Sequence, residues 1–157
     1  MNIPAYLYRG VNPEMHEASN GKLIPRSPGK EFKQPIYYGS TGDPEKDSYY
    51  GDGSTYGASE TNAVIKHQRN SSKNPTSGIS TTPVLENARR YATHNGKYPN
   101  GFVYRIDTSL LTEHGVTAHE VSAHATRPAI PGDQEIILVA QDYGALPAEI
   151  VVEVMDV

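Results

Sequence analysis

Ile130-Pro131-Gly132-Asp133-Gln134-Glu135-Ile136-Ile137-Leu138-Val139 is the stretch on which the rest of the chain is read. Pro131-Gly132 is a tight-turn dipeptide. The apolar run that follows is short, rich in β-branched residues and free of Gly and Pro, which predicts a buried strand. With the polar residues counted into that strand, Asp133 and Glu135 share one face and Gln134 points away. Two carboxylates at the mouth of a buried strand repel each other, and desolvation penalises them further. Either the pattern is an ordinary acidic hairpin turn, or a partner or a reaction uses the charge.

A chain of 157 residues is long enough for one domain with a real core and too short for two comfortable ones, so residues 1–157 are expected to form a single domain. Hydrophobic residues make up only 36%, and 14 Gly and 12 Pro imply many turns, favouring a loop-rich fold with strands over a helical bundle. A net charge of -4 excludes a global basic field for tight phosphate-backbone binding, although local contact with nucleic acid stays open. With no cysteine, disulfides and thiolate metal sites are excluded, and the six His residues are scattered without metal-ligand spacing, so no metal is expected. Met1-Asn2-Ile3-Pro4-Ala5-Tyr6 lacks the basic start and apolar core of a secretory signal, and no apolar run approaches membrane-spanning length. The expectation is a soluble, cytoplasmic chain without membrane contact.

Along the chain, Ala5 to Gly10 predicts a short first strand ending in the cation Arg9. Asn12-Pro13-Glu14 predicts a brief helix, with an Asn cap, Pro at the first position and an acid in the first turn, stopped by Asn20-Gly21. Residues 27–57, dense in Gly, Pro, Ser, Asp and Tyr, predict a long mobile surface loop. A second helix is expected from Ser59-Glu60 to about Arg69, with Ala63, Val64 and His67 inward, followed by a polar connector from Asn70. Gly78-Ile79-Ser80-Thr81-Thr82-Pro83 predicts a strand ending in hydroxyls and passing into a helix capped by Thr82, with Val84, Ala88, Tyr91 and Ala92 on its core stripe. Further strands are expected at Phe102–Ile106, Val116–Val121, Glu135–Ala140 and Glu149–Met155. Together these elements make an α+β domain, with two or three helices early and mostly antiparallel strands late.

Leu7-Tyr8-Arg9, Gly21-Lys22-Leu23-Ile24-Pro25-Arg26, Ser80-Thr81-Thr82, Asp133-Gln134-Glu135 and Gly144-Ala145-Leu146-Pro147-Ala148-Glu149-Ile150 occur in an order and spacing that resemble the ADP-ribosyltransferase toxin family. The branch resembled is the arginine–serine–glutamate branch, which includes the A subunits of cholera toxin and heat-labile enterotoxin. The likeness spans roughly residues 5 to 152. It implies the ADP-ribosyltransferase-like fold, with two small, mostly antiparallel sheets around an NAD cleft and NAD as substrate.

Loss of nicotinamide from NAD leaves an oxocarbenium-like ribose, which a nearby carboxylate stabilises. The resemblance gives that role to Glu135, and to Ser80 a hydrogen bond that holds the glutamate. It gives Arg9 a grip on the diphosphate or ribose through its fork of donors, and Gly10 an open backbone toward the nicotinamide amide. Thr81 and Thr82 would shape the pocket, and Tyr91 and His67 would stand on flanking helices, as core or as support to the site. Asp133 departs from the family, which usually has Glu or Gln there to choose the acceptor. Its charge leans toward a cationic acceptor such as protein arginine, and its shorter reach leaves a nucleic-acid base open. NAD hydrolysis, and a non-catalytic module binding NAD or ADP-ribose, are the competing functions. The tyrosines of 27–57 serve either as packing anchors or as a stacking surface for a base or a nicotinamide ring. The setting implied is a monomeric toxin or effector domain, delivered into a target cell or acting inside its own, with an immunity or activating partner.

Overall fold

The structure, a computed structural model, describes residues 3–38, 47–48, 57–69, 75–124 and 134–157. In chain order the elements are β1 (Tyr6–Val11), α1 (Pro13–Ala18), β2 (Gln34–Tyr38), β3 (Asp47–Ser48), β4 (Gly57–Ser59), α2 (Glu60–Arg69), β5 (Gly78–Thr81), α3 (Leu85–Ala92), β6 (Phe102–Asp107), β7 (Thr117–Glu120), α4 (Val121–His124), β8 (Ile136–Val139) and β9 (Val151–Asp156). Two of the sheets are fully antiparallel, ordered β1-β6-β9 and β5-β8-β7. They meet where Tyr8 and Thr82 exchange backbone hydrogen bonds of 2.8 and 3.0 Å. That seam sets Arg9 beside the end of β5.

The α+β class expected from the sequence holds. The expectation of a plain loop over 27–57 does not, because β2 pairs with β3 in parallel and with β4 antiparallel to make a third small sheet. Phe32 explains why: it is buried against Ala63, Val64, Ile65 and Ile137 and ties the stretch to the body. The tyrosine side chains of that stretch, and residues 39–46 and 49–56, lie outside the described residues.

β8 is the central strand of its sheet, and all its residues are buried. One face, Ile136 and Leu138, joins Leu7, Ile79, Tyr104 and Ile106 in the main core, while Ile137 and Val139 meet α2. Burial on both faces is why the run is continuously apolar rather than alternating. The strand starts at Ile136, later than the sequence suggests, and Gln134 sits at φ 49. Period-two alternation presupposes extended backbone, so it does not run back from β8 through Gln134. A left-handed Gln costs about 1 kcal/mol, and such residues cluster at functional sites. Asp133 itself lies outside the described residues.

The helix starts follow local chemistry. The Asn12 side chain accepts from the Met15 amide at 2.7 Å, and Asn20 and Gly21, at φ 56 and 73, end α1 as expected. For α3 the cap position is Val84, not Thr82. Thr82 instead accepts from the Val84 amide at 3.0 Å, a turn that precedes the helix. Tyr91 is 48% exposed, so it leaves the core stripe on which the sequence places it. The inner face of α3 is Ala88 and Ala92, packed on Val103. Before β9, Ala148–Ile150 forms a turn of 3-10 helix, which shortens the last strand relative to expectation.

Candidate active site

Arg9 points from β1 toward the end of β5, where its Nη1 donates to the Ser80 carbonyl oxygen at 3.2 Å. Burial, reinforced by Arg26, pulls its pKa below the ordinary value, while the Glu135 carboxylate opposes the shift. A guanidinium starts so high that it stays charged all the same. Its outer side lines a small cavity with Val11, Met15, Lys22 and Ile79.

The Ser80 side chain turns toward α2, where its Oγ lies 2.7 Å from His67 Nε2. The other ring nitrogen, Nδ1, lies 2.7 Å from Thr76 Oγ1, which in turn accepts from the Gly78 amide at 3.0 Å. His67 is buried, and its pKa falls to about 4, first through desolvation and then through the charges of Arg9 and Arg26. It is therefore neutral at pH 7, able to donate at one nitrogen and accept at the other.

Glu135 immediately precedes β8, and its carbonyl oxygen accepts from the Val121 amide at 3.1 Å. Thr81 pairs with Ile136 at the end of the β5–β8 ladder, so Glu135 lies just past that end, where its carboxylate acts on Arg9. Arg9, Ser80 and Glu135 thus come together at the seam of the two sheets: a cation, a hydroxyl and an anion. Such a set can hold a polyanionic ligand while stabilising positive charge that develops next to it.

A model of the NarE family matches residues 6–138. The chain belongs to the NarE family. That family is known as ADP-ribosyltransferase-like, and the matched span contains Arg9, Gly10, His67, Ser80, Thr81, Thr82, Tyr91, Asp133 and Glu135. No curated protein matches the chain.

The other residues singled out in this NarE-family chain are placed differently. Thr81 is buried, and its hydroxyl donates to the Ile136 carbonyl at 2.7 Å, tying β5 to β8. Thr82 is buried too, engaged with Tyr8 and Val84. Gly10 lies directly under α3, where any Cβ would collide with the Ala88 carbonyl and the Ala92 amide. Its missing side chain serves helix packing, a reason distinct from the open backbone that the resemblance implies. Tyr91 stands on the exposed side of α3.

Thr76 escapes a sequence reading because it falls in a polar connector. It is nevertheless 2% exposed and engaged on both sides. The one signal available was His67, already inward-facing on α2, which needs polar partners if buried. Among the described residues, no group of His, Asp and Glu could hold a metal ion, and no helix is long and apolar enough to cross a membrane.

Proposed function

We propose that this chain is a mono-ADP-ribosyltransferase of the arginine–serine–glutamate type, transferring ADP-ribose from NAD to a protein arginine in the manner of a toxin or effector. The observation that carries this reading is the Arg9–Ser80 hydrogen bond at the seam, with Glu135 acting on the same guanidinium. Arg9 would engage the diphosphate or the nicotinamide-side ribose, and Glu135 would stabilise the cationic ribose as nicotinamide departs. Neutral His67 holds the Ser80 hydroxyl without adding a positive charge beside that cation. Asp133, two residues before Glu135, supports a cationic acceptor by its charge.

Labelled NAD incubated with lysate, then split between protease and nuclease, tests the reading. Label removed only by protease supports a protein acceptor, whereas label removed only by nuclease moves the proposal to a nucleic-acid base. Free ADP-ribose alone would make the chain an NAD glycohydrolase. Binding of NAD without turnover would leave a binding module and defeat the proposal.

A further inference from the structure

We propose that Thr76 is a positioning residue that sets the tautomer of His67, so that Nε2–H donates to Ser80 Oγ and leaves the Ser80 hydroxyl proton for the acidic side of the site. The assignment follows from counting donors. The Gly78 amide can only donate, and it donates to Thr76 Oγ1 at 3.0 Å. Thr76 is buried, and a buried hydroxyl proton without an acceptor is costly. Among the described residues the acceptor in reach of that proton is His67 Nδ1, 2.7 Å away. Nδ1 must then be bare, and a neutral imidazole carries its single proton on the other nitrogen. The depressed pKa of His67 agrees with a neutral ring. Nε2–H therefore points at Ser80 Oγ, 2.7 Å away.

The hydrogen bonds then run in one direction, the Gly78 amide donating to Thr76, Thr76 to His67 and His67 to Ser80. Ser80 is the end of the relay, its own proton uncommitted among the described residues, on the strand end where Arg9 binds its carbonyl and Glu135 acts on that same guanidinium. The opposite tautomer would consume the Ser80 proton at Nε2 and strand that of Thr76. Ser80 would then offer only lone pairs to a carboxylate, which repels them. The polarity of the relay is thus fixed at its buried end, by a backbone amide that cannot reverse.

The inference rests on the proposed function for its catalytic consequence, but its first test does not. In the 15N-labelled full chain at pH 7, long-range proton–nitrogen NMR should show His67 with a bare Nδ1 and a protonated Nε2. A protonated Nδ1 overturns the assignment, whether or not the chain turns over NAD. Thr76→Val, which keeps the shape and removes the hydroxyl, should populate the other tautomer. It should also lower kcat for nicotinamide release about tenfold, the worth of one buried hydrogen bond, with KM unchanged. Thr76→Ser should restore both. A Thr76→Val protein with wild-type tautomer and kcat sinks the proposal, as does a Thr76→Ser protein that folds yet stays impaired. Should Thr76→Val fail to fold, the wild-type spectrum and Thr76→Ser decide. A wild-type chain that never releases nicotinamide defeats the proposed function and leaves the tautomer to stand on the spectrum.

Discussion

α3 and α2 each close one face of a sheet, and they do so with opposite chemistry. α3 presents Ala88 and Ala92 to Gly10, Val103 and Gly101, a dry contact in which backbones nearly touch. α2 buries Asn62, Lys66 and His67 along with Ala63, Val64 and Ile65. Burying polar groups stabilises less than burying apolar ones and demands that every partner be present. A fold that needed only stability would close both faces like α3. The polar closure falls on the sheet that carries Ser80 and leads to Glu135, so that the packing cost sits beside the candidate site.

The sharpest way to break this contrast is to alter each side and ask what is lost. Glu135→Gln should reduce nicotinamide release at least ~100-fold, about 3 kcal/mol in the barrier, with an unchanged Tm. A matching fall in Tm would make Glu135 a structural residue.

Acid should act on the α2 side of the comparison. Because His67 is held at about 4 when folded against the ordinary 6.5, the unfolded chain binds the extra proton between those values. Stability from this group is complete above pH 6.5 and falls as pH drops toward 4, by about 3 kcal/mol across the window. Urea titrations at pH 7 and pH 4 should show that fall, and His67→Gln should remove its share of it.

On the α3 side, Gly10→Ala should cost about 2 kcal/mol or more, since the collision is with helix backbone rather than with a side chain that can swing away. Thermal unfolding would register the loss, and the same kcat in the surviving folded fraction would confirm that α3 serves packing alone. The smallest effect is expected at Tyr104→Phe. It removes the 2.5 Å hydrogen bond between the buried phenol and His16, the contact that helps hold α1, and should cost about 1 kcal/mol in denaturant titration with activity retained.

What could be read beforehand was whatever depends on neighbours in sequence. The Asn12-Pro13 start of α1, the Gly78–Thr81 strand and the Phe102-to-Ile106 alternation are local patterns, and they appear where expected. Phe32 shows the limit: its stretch looks like a loop until the pocket beneath α2 is known. Gln134 shows another, because nothing in its side chain announces a left-handed backbone. Arg9, Ser80 and Glu135 were legible as residue types in order, through likeness to a family. The role of Thr76 was not, since it exists only through two partners, one of them a main-chain amide.

The kink at Gln134 has a further consequence. β8 is clamped by β5 on one side and β7 on the other, so its register is decided by two ladders that end at Ile136. Gln134 and Glu135 stand at the tip of that mast, beyond the last strand pairing. A substitution at Gln134 or Glu135 therefore leaves the hydrophobic centre behind Ile136 as it is.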